Sequence, residues 1–165
     1  MIINGTGLLQ AGPIRNMESE KLRSHGVSYG LSEAGYDIRI AQDVTFYKME
    51  KIPFGRLVQV DGRRKVGRFT IASAMEEFDM PDNLVGLVKD KSTWARKGLS
   101  VFNTVIEPGW KGFLTLELVY NGNDTLHIPA GAGIAHVLFQ TIAEPVEYTG
   151  KYQNQPAGAT ESKWD

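Results

Sequence analysis

Glycine recurs through this chain at short, uneven intervals, 18 times in 165 residues. The stretches between glycines are mostly too short for a helix that buries a face, and many alternate apolar with polar residues instead. Strand-like segments read Tyr36–Ile40, Val44–Met49, Arg56–Val60, Arg68–Ala72, Leu84–Val88, Phe113–Tyr120 and Ile134–Ile142. Only two stretches read as helical: Asn16–Ser24, polar and charge-rich, and Lys91–Lys97, which ends at Gly98. No repeat or interdomain linker interrupts the pattern. The expected fold is mainly β, a sandwich or barrel-like jelly roll, in a chain long enough to bury one core.

Charge and rare residues narrow the function. Eighteen Lys and Arg face 19 Asp and Glu, for a net charge of −1, which opposes a role on nucleic acid, where phosphate contacts demand a basic surplus. No apolar run reaches the length of a membrane span, and the first residues lack a signal peptide's basic start and apolar core. A soluble cytoplasmic protein is the expectation. The absence of cysteine excludes a disulfide framework, thiolate metal sites and the zinc nucleobase deaminases, whose metal needs Cys ligands. His25, His127 and His136 are the only histidines, and none is followed two residues later by Glu.

Four segments carry candidate chemistry. In FLTLELVY (Phe113–Tyr120), period-two alternation puts Leu114, Leu116, Leu118 and Tyr120 on one face and Phe113, Thr115, Glu117 and Val119 on the other. Glu117 is either a desolvated carboxyl suited to proton shuttling or an edge-strand glutamate paired with a nearby cation. In DKSTWARKGL (Asp90–Leu99), Ser92 and Arg96 share a helix face, and with Lys91 and Thr93 they suit an anion such as a phosphate chain. The alternative is a hydroxyl cap beside solvated cations. No P-loop or G-x-G-x-x-G is present. Glu107-Pro108-Gly109-Trp110 forms a tight turn whose aromatic can pack on a ring or sugar. In AGYDIR (Ala34–Arg39), Asp37 and Arg39 fall on one strand face and read as a structural ion pair. The tail, residues 150–165, is either a disordered terminus or a flap that orders over a ligand through Lys151 and Gln155.

These segments, in this order, resemble the dCTP deaminases of the dUTPase superfamily. The matching stretches are SYGLSEAGYDIRIA (Ser28–Ala41), DKSTWARKGL, EPGWKGFLTLEL (Glu107–Leu118), AGAGIAHVLF (Ala130–Phe139) and GKYQNQPAGAT (Gly150–Thr160). Residues 1–27 and about 49–67 match poorly. The resemblance implies a dUTPase-type jelly roll spanning residues 1–149, with a flexible flap at 150–165 that closes over the active site. It further implies a homotrimer with active sites between subunits, acting on dCTP. Water would be activated without zinc, and Mg²⁺ would be present only through the triphosphate. Glu117 would be general base and acid, with Ser92 and Arg96 holding the water or the tetrahedral centre. Lys91, Thr93, Lys151 and Gln155 would reach the phosphates, Glu107 and Trp110 the sugar, and the strand backbone at Thr115 the pyrimidine edge. Alternatives are an enzyme that also cleaves the product to dUMP and pyrophosphate, or a silent nucleotide-binding regulator on the same trimer. Three positions depart from the family pattern: Lys91 where arginine is usual, Glu107 where dUTPases have aspartate, and an inserted alanine in QPAGAT.

Overall fold

The computed structural model describes residues 1–48 and 56–164. In chain order the elements are β1 (Ile2–Ile3), α1 (Gly5–Ala11), β2 (Lys21–Ser24), β3 (Val27–Leu31), β4 (Tyr36–Arg39), β5 (Val44–Lys48), β6 (Arg56–Val60) and β7 (Arg63–Val66). They continue as β8 (Phe69–Asp79), β9 (Leu84–Asp90), α2 (Ser92–Ala95), β10 (Leu99–Val101), β11 (Val105–Ile106), β12 (Lys111–Tyr120), β13 (Leu126–Ile128) and β14 (Gly133–Thr141). The expectation of a mainly β chain holds. Every expected strand is present, although Met49 lies outside the described residues.

Strands sort into three antiparallel sheets. The largest runs β11-β9-β14-β4-β3-β2 with β1 added to β14, the second β10-β12-β8, and the third β13-β5-β6-β7. None of the three closes on itself, so the architecture is jelly-roll-like rather than a barrel. Long β8 joins two layers. It pairs with β12 up to Ser73, departs over three residues and rejoins at Glu77. In the gap Ala74 bridges to Ile40, and the Ala41 amide donates to the Ser73 carbonyl at 2.8 Å. Between the layers lie Tyr36, Phe46, Phe78 and Phe139, all but removed from solvent. Phe46 and Tyr120, 5.3 Å apart by ring centroid, join the third sheet to the second.

Asn16–Ser24 is not a helix. Its second half is β2, paired residue for residue with β3 around His25 and Gly26, which both have positive φ (52° and 76°). Two such residues make the two-residue turn whose twist matches a hairpin. The high charge there is the mark of an edge strand rather than of a solvated helix. A second hairpin, β6–β7, turns at Asp61-Gly62 in the same way. The helix at the start of the chain is instead α1, which buries Leu8 and ends at Gly12 in the left-handed conformation, with the Gly12 amide donating to the Leu8 carbonyl.

Candidate active site

The Glu107–Trp110 turn delivers the chain into β12. The Trp110 amide donates to the Glu107 carbonyl at 3.1 Å, and Gly109 supplies the positive φ (72°) that its third position needs. A Cβ at Gly109 would lie 2.8 Å from the Glu147 side chain. β12 then presents Leu116, Leu118 and Tyr120 to the core, as alternation requires. Thr115 and Glu117 face the other way, into a cleft of about 570 Å³. Leu114, expected on the core face, also lines the cleft, because the pairing of β12 with β8 shifts between Phe113 and Thr115.

The cleft gathers Glu107, Trp110, Thr115, Glu117 and Gln155, together with Asn103, Tyr148 and Tyr152. Burial pushes the Glu117 carboxyl above the usual glutamate range, because a charge loses solvation there. No described residue donates a hydrogen bond or ion pair to that carboxyl, so the edge-strand pairing does not form. Trp110 is buried, tilts against Phe78 at 6.0 Å, and donates its indole N–H to the Tyr152 carbonyl at 2.7 Å.

The tail lies across the start of β12. Gln155 bridges to Gly112 in parallel and its carbonyl accepts from the Phe113 amide at 3.1 Å. The Thr160 amide donates to the Thr115 hydroxyl at 3.0 Å. Gln153, which no spacing argument marks, ties tail to turn. Its carboxamide accepts from the Lys111 amide at 2.7 Å and donates to the Gly109 and Tyr148 carbonyls, both at 2.9 Å. Lys151 sits outside the cleft lining, its ammonium 5.8 Å from the Tyr152 ring centroid.

The second candidate segment lies elsewhere. Ser92, Thr93 and Arg96 are exposed on α2, and none of them lines the cleft. α2 is shorter than Lys91–Lys97 and is pinned by Trp94, whose indole N–H donates to the Gly133 carbonyl at 2.7 Å. Lys91 is turned inward, where its ammonium meets Asp37 Oδ2 and donates to Ser28 Oγ at 2.9 Å. Asp37 also accepts from Ser28 Oγ at 3.0 Å and pairs with His136 Nδ1 at 2.8 Å. Burial opposes the Asp37 charge, but the His136 and Lys91 bonds outweigh it and hold the carboxyl below its usual range. The expected Asp37–Arg39 pair is therefore absent. Arg39 instead donates through Nε to Glu76 Oε1 at 2.8 Å, where β8 leaves β12. The pleat's shared face gave both residues one direction, but Arg39 pairs with buried Glu76 of β8, and Asp37 with the half-buried Lys91 and His136. Among the described residues no three His, Asp or Glu converge as a metal site.

A dCTP deaminase-like family model matches residues 12–142. The chain is 37% identical to a dCTP deaminase from Roseiflexus castenholzii, over 87% of each protein. It is also 37% identical to one from Campylobacter curvus, over 78% of each. Among solved structures it is similar to an EIAV dUTPase, at a TM-score of 0.51 and 16% identity over 94% of this chain and 93% of that one. It is likewise similar to a dUTPase from phage phi11 of S. aureus, at 0.52 and 17% identity over 84% and 94%. At such identities these two likenesses speak for the fold alone. With the sequence match spanning the cleft strand, the turn before it and α2, the chain belongs to the dCTP deaminase-like family.

Proposed function

We propose that the protein is a dCTP deaminase, converting dCTP and water to dUTP and ammonia. The observation that carries this reading is Glu117: a carboxyl raised by burial, with no partner among the described residues, facing a nucleoside-sized cleft. A raised pKa brings a carboxyl nearer the operating pH, where proton transfer in both directions is most effective. Water adds to C4 of cytosine as Glu117 takes one of its protons and passes it to N3. Glu117 then takes the proton of the new C4 hydroxyl and passes it to the amino group, the C4–N bond breaks as the C4 carbonyl forms, and ammonia leaves, so the carboxyl ends as it began. The backbone at Thr115 reads the pyrimidine edge, and Glu107 and Trp110 lie at the sugar. Mg²⁺ enters with the triphosphate as part of the substrate.

The exposed Ser92, Thr93 and Arg96 do not line the cleft that holds Glu117 of their own chain. A homotrimer with its sites between subunits supplies them from a neighbouring copy, where Ser92 and Arg96 would hold the attacking water and the tetrahedral centre. Exposed apolar side chains support that arrangement: Phe69 and Val105, which line the cleft, and Phe102, next in the chain to cleft-lining Asn103. Thr93, Lys151 and Gln155 take the phosphates. Lys91 would have to abandon buried Asp37 to join them, a change that costs about 3–5 kcal/mol when one partner of such a pair is lost, so its role is to anchor α2. A soluble cytoplasmic enzyme fits the reading, and among the described residues no helix is long and apolar enough to cross a membrane.

Ammonia release from dCTP and Mg²⁺, followed by a coupled assay, tests the reaction. Sustained release supports the deaminase. Its absence, with nucleotide still bound, would turn the reading to a silent nucleotide-binding regulator.

A further inference from the structure

The chain's even charge balance hides a local excess. Residues 56–68, RLVQVDGRRKVGR, hold five cations against one carboxylate, Asp61. Elsewhere cations find carboxylates: Arg15, Lys21, Arg39, Lys91 and Lys111 each make an ion pair. In this segment none does among the described residues. Arg56 is buried and donates to the Asp124 carbonyl, and Arg68 donates to Asn121 Oδ1, both at 3.2 Å. Arg64 Nε donates to Gln59 Oε1 at 2.7 Å, and the Lys65 ammonium lies 5.3 Å from the Phe69 ring centroid. Arg63 has no partner among the described residues.

Arg63, Arg64 and Lys65, all exposed on β7, line a second cavity of about 540 Å³ beside β8. Gln42 and Ile71 bring two unpaired donors to the same lining. Gln42 Oε1 accepts from the Ser73 amide at 2.7 Å, which leaves its Nε2 unused. The Glu117 amide and carbonyl turn away from β8, to Asn103 Oδ1 at 3.1 Å and the Phe102 amide at 2.8 Å. Ile71, opposite Glu117 in the register, therefore turns its own amide away from β12, where no described residue accepts it. Acceptors are few. Asp61 is committed to the Asp43 amide at 3.2 Å, and Glu161 of the tail is exposed and makes no ion pair with the three cations.

A cavity so rich in cations and N–H donors suits an anion. Three cations in succession on an extended strand, about 3.3 Å apart along it, form a row that matches a chain of phosphates. We propose that the β6–β7 hairpin and the edge of β8 form a polyphosphate-binding site, for a triphosphate either free or carried by a second nucleotide. The cavity adjoins the cleft at Ile71, beside Glu117 and the reacting base. The proposed reaction seats the substrate's phosphates by Gln155, at the start of β12, so the chain bound at the hairpin belongs to another molecule. The site itself does not rest on the deaminase reading.

Equilibrium dialysis of the protein against inorganic triphosphate tests the assignment. Combining Arg63→Gln, Arg64→Gln and Lys65→Gln is expected to weaken binding about tenfold or more. Removing the opposing carboxylate acts the other way, and Glu161→Gln is expected to tighten binding about two- to fivefold. ATP run beside it separates the sources: equal affinity assigns the phosphate chain alone, and tighter binding that the triple variant loses assigns a nucleotide. Triphosphate that fails to bind, as when a neighbouring copy's carboxylates cover the hairpin, would overturn the proposal. So would equal binding by wild type and triple variant, as when the anion enters only the cleft. Should the triple variant fail to fold, Glu161→Gln decides, and an unchanged or weaker affinity there overturns the proposal.

Discussion

Glu117 sits where function and stability pull in opposite directions. Its carboxyl is raised because folding takes it out of water and gives it no cation. A group whose folded pKa lies above its unfolded value favours the folded state when protonated, and that contribution is lost as pH rises through the raised value. The charged form at neutral pH is thus a cost of the fold, one that the proposed proton transfer requires. Glu117→Gln is expected to lower turnover by about 10²–10⁴-fold or more. The same variant should melt at a higher temperature than wild type at neutral pH, the two converging in acid below the ordinary glutamate range. A variant that kept its turnover would remove Glu117 from the mechanism, and one that lost stability at neutral pH would show a partner for the carboxylate. The sequence exposed this residue well, because a lone glutamate among Phe113, Thr115 and Val119 on a strand face is anomalous. Asn103 and Gln153 stayed hidden, since a carboxamide that bonds to backbone far along the chain leaves no periodic trace.

At the scale of elements, local chemistry was readable where a turn or an alternating face imposed it. Proline and glycine at 108 and 109 announced the turn into β12, and the alternation of β12 separated core from cleft. Two hairpin strands carry little apolar signal: β7 has charge on both faces, and β2 sets Lys21 and Arg23 on one face with Leu22 as its one apolar residue on the other. The positive-φ pairs His25-Gly26 and Asp61-Gly62 were the usable signal, the second being a strong hairpin dipeptide. The tail is a matter of docking rather than of propensity. It meets β12 at Gly112, whose φ of 129° few side chains adopt and where an added Cβ would stand 2.5 Å from the Gln155 backbone nitrogen and oxygen. Backbone on both sides leaves nothing to yield. Gly112→Ala should therefore lift the segment around Gln155 from β12 while leaving the core sheets paired. Limited trypsin digestion reads this directly: cleavage at Lys151 is expected to accelerate in the variant, and an unchanged rate would mean the tail is held by other contacts.

At the scale of the whole molecule, the candidate residues fall into two groups that do not share a cleft. Glu117, Thr115 and Glu107 converge with Trp110 and Gln155 in one cleft, while Ser92, Thr93 and Arg96 lie exposed on α2. Sequence order alone could not reveal that separation: α2 leads into β10, which pairs with β12 as far as Leu118, yet its exposed side chains do not line the cleft. In the proposed trimer a neighbouring copy brings the two groups together, with exposed apolar side chains as the driving surface. Sedimentation should give about three times the 18.3 kDa chain mass. Phe102→Asp, which puts a charge among those apolar side chains, is expected to yield monomers without deaminase activity. A wild-type monomer that turned over dCTP would end the shared-site account.

The central claim is the reaction itself, and chromatography of nucleotides after incubation with dCTP and Mg²⁺ tests it most directly, with wild-type and Glu117→Gln protein side by side. The wild type should yield a deoxyuridine nucleotide that retains three phosphates, and the variant almost none. A product carrying one phosphate would add a second cleavage to the chemistry. Intact dCTP in both samples would contradict the account.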